Sequence, residues 1–440
     1  MRLKIDNFAK IKHAEITIDG ITVIAGENNT GKSTIGKVLY SAFNAFYDMD
    51  LKIENRRRDE ILEIIRRGVR NALIHSMTGT RNSGSLRMTS DRIARAMSSK
   101  LVETEGDILD EVLFRDYLEQ ACARYDVQLT EENMSELLED SYEKIVARKR
   151  NDDYKVALEL IERFFIQVFG EQVKCLRSSG KDTKVSLEIK GKELDVVFRG
   201  NQCVQWQADY NILHEAFFID DPFVLDQVSN HLWLYIGNGY RKGLLNRLNE
   251  TDDDIMDGIF EAVSAKENLK EIYDILKRVA DGQILVQNGQ WSLHSEKFEE
   301  PIHFENLSAG LKSFVLLKLL LEKGILKEKD VLILDEPEIH LHPEWQLVYA
   351  EMIVLLQKKF DLSIVVTTHS RDFLEAIELY AKKYELFPKC RFYLSGQEEG
   401  LSVFEDVTEC LDKIYSQLVT PSMLLDNLRY EIGTEEDEQF

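Results

Sequence analysis

Apolar residues along this chain recur with two different periods, and the switches between them outline its organisation. From residue 51 to residue 169 the period is helical: Ile61, Leu62, Ile65, Val69 and Leu73 fall on one face, and Leu113, Leu118, Cys122 and Tyr125 continue the theme. The polar run Thr78-Gly79-Thr80-Arg81-Asn82-Ser83-Gly84-Ser85 divides this region and predicts a loop. No heptad pattern persists over four repeats, and an arm of about fifty residues would reach only about 75 Å at ~1.5 Å per residue. The region therefore predicts a compact helical bundle or short hairpin, not a long coiled coil. Residues 183–207 switch to strand alternation around a turn at Lys190-Gly191-Lys192-Glu193, and Asn288-Gly289 marks the turn of a hairpin over residues 282–291. Residues 251–281 read as helical. After residue 370 the pattern predicts a helix, strands near 391–394 and 401–403, and a helix around 412–418 before a charged tail.

Four short runs are apolar without alternation: residues 21–25, Ala216-Phe217-Phe218-Ile219, Val331-Leu332-Ile333-Leu334 and Ser363-Ile364-Val365-Val366. Runs of this kind suit strands of a parallel sheet covered on both faces. In such sheets ligands collect at the carboxyl ends of the strands, so the residues just after each run are the informative ones. After the first comes Gly26-Glu27-Asn28-Asn29-Thr30-Gly31-Lys32-Ser33-Thr34, then a helical stretch over 35–46. Strand, glycine-rich turn and helix form a phosphate cradle, in which backbone N–H groups and the helix dipole meet the negative charge. The candidate phosphate contacts are Gly26, Asn28, Asn29, Gly31, Lys32, Ser33 and Thr34. Lys32 would reach the β- and γ-phosphates, and the Ser33 hydroxyl would ligate Mg²⁺.

The third run ends in Asp335-Glu336-Pro337. Asp335 would hold Mg²⁺, with Ser33 the second metal candidate, and Glu336 would orient and deprotonate an attacking water. The fourth run ends in Thr367-Thr368-His369-Ser370, where a neutral imidazole could bond the γ-phosphate or that water. Glu336, His369 and Lys32 are thus the catalytic candidates. Asn306-Leu307-Ser308-Ala309-Gly310-Leu311-Lys312 precedes a long apolar helix, with Ser308 a natural N-cap and small residues behind it that permit close approach.

The order of these segments, phosphate loop, L-S-A-G, L-D-E-P and T-T-H-S, resembles the ABC-type ATPases of the non-transporter branch, which includes the SMC, RecF and OLD groups. Residues 334–343 (LDEPEIHLHP) and the opening Ile5-Asp6-Asn7-Phe8-Ala9-Lys10-Ile11 look most like the OLD/RecF side. The resemblance covers roughly residues 1–47 and 300–375. It implies an α/β fold, a P-loop ABC-type ATPase head whose mixed or parallel sheet is flanked by helices, with an inserted helical subdomain. It also implies ATP and Mg²⁺ as cofactors and a homodimer or higher homo-oligomer in which two ATP molecules are sandwiched between heads. Ser308 and Gly310 would then contact the γ-phosphate held by the partner copy. The histidines of the loop, His340 and His342, would face that partner rather than bind a metal. The family's usual Gln at the end of an earlier strand has no clear match: the strand 216–219 ends in Asp220-Asp221, with Gln207 and Gln227 nearby.

OLD nucleases carry a Toprim domain after the ATPase. Only 71 residues follow His369 here, with no D-x-D pair, so any nuclease or toxin activity is expected from a separate effector protein. The chain then resembles the ATPase half of a two-component antiphage defence system. A RecF-type repair ATPase and a nucleotide-gated scaffold with incidental turnover are the alternatives. The helical insert and the E-I-H-L-H-P loop disfavour a transporter subunit, and a small-molecule kinase would need neither Ser308 nor His369.

Bulk properties adjust this picture in three ways. The 440 residues, 44% of them hydrophobic, suffice for one large head plus an insert. The expected parts are the N-terminal head segment 1–47, a helical insertion 48–180, a strand-rich lobe 181–300, the C-terminal head 301–420 and an acidic tail 421–440. Five scattered cysteines without a C-x-x-C pair read as reduced thiols, no run approaches the ~18 apolar residues of a membrane helix, and the start is no signal peptide, so a cytoplasmic location is expected. The net charge of −23 argues against wholesale nucleic-acid binding, but residues 51–100 hold twelve basic against five acidic residues. That excess is either a solvated helix face or a contact for nucleic acid or an acidic partner.

Overall fold

The computed structural model describes residues 1–76, 83–104, 109–150, 152–177, 180–229, 239–250 and 269–437. The chain forms two compact units. One comprises residues 1–47 and 161–440, and the other residues 48–160. The insertion expected over 48–180 therefore closes earlier: the helix Asp153–Phe169 runs across the boundary and strands resume at Thr183.

The first unit is built on an eleven-stranded sheet. Its strands in chain order are β1 (Arg2–Phe8), β2 (Ile11–Thr17), β3 (Ile21–Gly26), β4 (Thr183–Ile189), β5 (Lys192–Arg199), β6 (Gln202–Ala208) and β7 (Ala216–Ile219). After a separate three-stranded sheet of β8 (Gln283–Gln287), β9 (Gln290–His294) and β10 (Ile302–His303) come β11 (Val331–Asp335), β12 (Ser363–Thr368), β13 (Cys390–Glu398) and β14 (Leu401–Asp406). The spatial order is β6-β5-β4-β1-β2-β14-β13-β3-β12-β11-β7. From β7 to β13 every pairing is parallel, and from β2 to β6 every pairing is antiparallel.

The two halves read differently in sequence because they are buried differently. Every residue of β3 is buried, as are Val331 to Leu334 of β11, which is why these runs are apolar without alternation. In β5 only Leu194, Val196 and Phe198 turn inward, the period of a sheet with one dry face. Residues 1–47 supply three strands, and the turn at Asp19-Gly20, where Gly20 has φ 57°, separates β2 from β3. The hairpin β8–β9 turns at Asn288 (φ 53°) and Gly289 (φ 77°), both left-handed, as a two-residue turn requires.

Helices Lys32–Phe46, Ala309–Glu322, Pro343–Phe360 and Arg371–Lys383 pack on the parallel half. Gly36 allows the first to lie close: a Cβ there would stand 2.9 Å from Ile333 and 3.0 Å from Phe218. Lys270–Val279 is helical, and residues 251–268 of the expected helical stretch lie outside the described residues. The last helix, Asp412–Asp437, extends far beyond the expected 412–418 and takes in most of the supposed tail. Among the described residues no helix is long and apolar enough to cross a membrane.

The second unit contains helices Met49–Ser76, Ser83–Glu103, Glu111–Arg124 and Glu131–Lys149 around a core that includes Ile61, Ile65, Val69, Phe114, Leu118 and Ile145. Helix resumes at Ser83, within the run expected to be a loop, and residues 77–82 lie outside the described residues. Asp110 and Thr130 cap their helices by accepting the N–H groups of Leu113 (2.8 Å) and Asn133 (3.3 Å). Several arginines of the basic stretch are ion-paired, mostly with acids of the same stretch, so its net excess remains. Arg56 pairs with Glu60 (2.8 Å), Arg57 with Asp153, Arg58 with Glu54 (3.2 Å), Arg67 with Glu63 (2.8 Å) and Arg66 with Asp91 (2.5 Å).

Candidate functional site

The glycine-rich loop leaves β3 at Gly26 and enters the helix at Lys32. It turns through three positive-φ residues, Gly26 (147°), Asn29 (65°) and Gly31 (89°). Gly31 is the N-cap, and no side chain caps the helix. The first N–H groups of the helix are therefore left for an anion, and no acid in the first turn opposes one. The loop residues Asn29, Thr30, Gly31, Lys32, Ser33 and Thr34 line a cavity of about 330 Å³, within the range of small-ligand sites. Its remaining wall is Ala9, Lys10, Phe169, Gln172, Leu176 and Glu336. Asn28 is exposed on the loop and does not line it. Leu176, 49% exposed, and Phe169 give this wall an apolar face beside the phosphate loop.

Lys32 is buried. Its Nζ donates to the carbonyls of Gly26 and Glu27, both at 2.9 Å, and stands 3.4 Å from Glu336 Oε1. His369 Nδ1 lies 3.6 Å from the same oxygen. The fold thus brings Lys32, Glu336 and His369 together from the ends of three adjacent strands in the order β3-β12-β11. Glu336 has φ 50°, a conformation costly for a residue with a Cβ, and such residues cluster at functional turns. Its N–H donates to Thr367 O (3.1 Å) and Thr367 Oγ1 (3.0 Å), which fix the turn.

Asp335 accepts from Thr367 Oγ1 at 2.5 Å, and the Ser33 hydroxyl lies near enough to favour its charged form. Burial, with a smaller contribution from the charge of Glu336, pushes its carboxyl above the usual range despite these contacts. A desolvated carboxylate beside a serine hydroxyl is a hard, all-oxygen donor set, and a bound divalent cation would offset the cost of its charge. That set fits Mg²⁺ better than a nitrogen- or sulfur-seeking metal.

Ser308 and Gly310 do not line this cavity. Ser308 is exposed at the start of its helix and accepts from the Leu311 N–H at 3.4 Å. Gly310 is small for an intramolecular reason: a Cβ would meet His340 O at 3.0 Å and Trp345 at 3.3 Å. The two loop histidines have local partners. The His340 ring lies edge-on to Phe223 (5.5 Å), and His342 Nδ1 accepts the Glu344 N–H (3.4 Å) as a helix cap. Among the described residues no group of three or more His, Cys, Asp or Glu is arranged to hold a metal.

Three residues to which the sequence assigned no role join the site: Asp220, Arg241 and Glu338. Ile219 pairs with Leu334, so Asp220 and Asp335 follow at the ends of neighbouring strands, and both line a small cavity of about 30 Å³ with Glu336 and Tyr349. Asp220 is held by Arg241 (3.1 and 3.0 Å) and Tyr240 Oη (2.7 Å). Of the two glutamines, Gln207 lies on the edge strand β6 against Asp209, and Gln227 closes a 3₁₀ turn after β7. The strand-end position itself is Asp220. Glu338 is 2% exposed. Its Oε1 accepts from Thr368 Oγ1 (2.5 Å) and the His369 N–H (3.2 Å), tying the carboxylate turn to the histidine turn. Burial raises its carboxyl above the usual range, and Oε2 has no partner.

No curated protein matches the chain. Among solved structures it is similar to an Smc head bound to the C-winged helix domain of ScpA (11% identity, TM-score 0.41, 92% of this chain and 96% of that one). It is also similar to the SMC head domain of Thermotoga maritima (10% identity, TM-score 0.39, 92% and 98%). A third is the Smc head domain with an extended coiled coil bound to the C-terminal domain of ScpA derived from Pyrococcus furiosus (11% identity, TM-score 0.39, 97% and 98%). From the strand before the phosphate loop to the helix after His369, residues 21–375 match the family described as "AAA domain, putative AbiEii toxin, Type IV TA system", and the chain belongs to that family.

Proposed function

We propose that the protein is an ATP-hydrolysing switch whose heads close on each other around two ATP molecules. The observation that carries this reading is the meeting of Lys32, Glu336 and His369 within 3.6 Å of one carboxylate oxygen, beside a phosphate-loop cavity. Lys32, now held by two carbonyls and Glu336, transfers to the β- and γ-phosphates. Glu336, released by that transfer, accepts the proton of the attacking water, and His369 donates to the γ-phosphate or holds that water. Ser33 and Asp335 would hold Mg²⁺, which when bound would supply positive charge against the phosphates. Asp220, pinned by Arg241, takes the place of the family's Gln.

Closure by a second copy is supported by the surroundings of Ser308. The helix start is exposed there, and Ile339 (54% exposed) and Phe223 (39%) give the adjoining loops uncovered apolar surface. The family's description names a putative toxin of a type IV toxin–antitoxin system, and on that ground the switch is read as regulating an effector, a nuclease or toxin, in defence.

Glu336→Gln keeps the shape and removes the base, so turnover falls about 10²–10⁴-fold while ATP still binds. With Mg²⁺ and ATP this variant should run as a stable dimer in size-exclusion with light scattering. A monomer under those conditions would refute the sandwich. Ser308→Arg should bind ATP normally yet hydrolyse it poorly, and mixing it with Lys32→Ala protein should restore part of the turnover if the helix acts in trans.

A further inference from the structure

The hairpin β13–β14 belongs to no phosphate motif, yet it touches the phosphate loop at each of its left-handed positions or beside them. We propose that this hairpin is a brace that positions the phosphate loop for nucleotide, with Ser395 and Gln397 as its positioning residues. The inference rests on the nucleotide-binding reading above and assigns its affinity in part to a segment some 365 residues away in sequence.

The need for a brace comes from how such loops work. Phosphates are recognised by backbone N–H groups, so affinity depends on backbone direction. A loop with three positive-φ residues in six has many alternative conformations, and ordering it costs entropy unless contacts already hold it.

Those contacts come from the hairpin. Ser395 is the register partner of Gly26 across the parallel β3–β13 pair. Its hydroxyl lies 3.1 Å from the Ala25 carbonyl and 2.7 Å from Thr30 Oγ1, which in turn bonds the Glu27 carbonyl at 2.8 Å. Ser395 is fully buried and Thr30 nearly so, so water competes little for these bonds. Gly26 has no room for a side chain: a Cβ would stand 2.4 Å from both Ser395 oxygens. Gln397 Nε2 donates to the Asn29 carbonyl at 2.6 Å. The Asn29 side chain is held from the other side by Lys10 Nζ at 2.8 Å. Ser402 and Phe404 close the space under Gly31, where a Cβ would come within 2.7 Å of Ser402 Oγ.

The same hairpin supplies an internal control. Ser402 is as buried as Ser395 and also abuts the loop, but its hydroxyl has no hydrogen-bond partner. If the brace acts through the bonds of Ser395 and Gln397, truncating Ser402 should matter little.

The test uses the full chain with Mg²⁺ and fluorescent N-methylanthraniloyl-ATP and -ADP, alongside steady-state ATPase and thermal melting. Gln397→Ala, on an exposed side chain, and Ser395→Ala should each weaken both nucleotides about three- to tenfold, the scale of one hydrogen bond. KM should rise more than kcat falls, and Ser402→Ala should bind like wild type. Wild-type affinity for both nucleotides in folded Gln397→Ala and Ser395→Ala proteins overturns the brace. So does an equal loss in Ser402→Ala, which would mark general packing instead. If the wild-type protein binds neither analogue, the nucleotide reading itself fails and the brace falls with it.

Discussion

The two compact units bury different things. In the helical unit, residues 48–160, the buried polar residues among those described are Ser90, Ser98, Asn133 and Ser141, all small and neutral. Its charges stay outside as Arg–carboxylate pairs between neighbouring turns and helices, where each contributes little to stability. The head buries Lys32, Lys312, Lys318, Asp330, Glu338 and Glu351. Removing a charge from water is costly unless it is paired or carries a function, so buried charge separates structural from chemical territory here. Lys312 and Lys318 are tied down, the first to Asp226 (2.5 Å) and the second to the Gly282 carbonyl. Lys32 instead lines the phosphate-loop cavity, Asp335 lines the small cavity at the ends of β7 and β11, and Glu338 ties the carboxylate turn to the histidine turn.

The strongest way to break this contrast is at Lys32. Lys32→Ala should abolish detectable binding of the fluorescent ATP analogue with little loss of fold, since it removes a buried cation whose present partners are two carbonyls and one carboxylate. Near-normal turnover in that variant would remove the chemical meaning of the buried charges. A substitution in the other unit should do the reverse. Leu118 is fully buried in the helical core, and Leu118→Ala should cost about 2–5 kcal/mol of that unit's stability. Hydrogen exchange should show lost protection confined to residues 48–160, with ATP affinity within about twofold of wild type. The smallest effect is expected on the surface. Arg70, Arg87 and Arg92 are exposed and make no ion pair among the described residues. Changing all three to Glu should leave basal ATPase and melting temperature nearly unchanged. If nucleic acid binds this unit, its affinity should drop and the salt dependence become shallower in an electrophoretic titration at two salt concentrations. Unchanged affinity would leave these arginines as a solvated face.

What the sequence disclosed and what it withheld also divide along physical lines. The strands β3, β11 and β12 were readable because each is buried on both faces, and the acids and histidine at their ends came from the rule for parallel sheets. Glu338, Asp220 and the β13–β14 hairpin were not, for another reason. Their roles come from which strands lie side by side, and local pattern carries no record of that. Ser395 looks like any serine in a strand until β13 is known to pair with β3. The apparent acidic tail misled in a similar way, because charge composition predicts solvation but does not stop a helix, and Asp412–Asp437 continues through it. Composition showed the net excess of the basic stretch but not which of its arginines are already paired, as Arg56, Arg58 and Arg67 are with carboxylates one turn away on the same helix.

The strand order also has a consequence for biosynthesis. β3 and its phosphate loop lie at residues 21–34, but both strands that flank β3, β12 and β13, come from residues 363–398, some 330 residues or more later in the chain. At ~5–20 residues per second the loop must wait roughly 20–70 s on the ribosome for its neighbours. During that interval β3, apolar on both faces, has unpaired edges and is open to mispairing. The helical unit, whose core is drawn from residues 61–145, can collapse meanwhile. Slow synthesis or a stall before residue 363 should therefore expose a chaperone-dependent, aggregation-prone nascent chain with one finished unit and one open sheet.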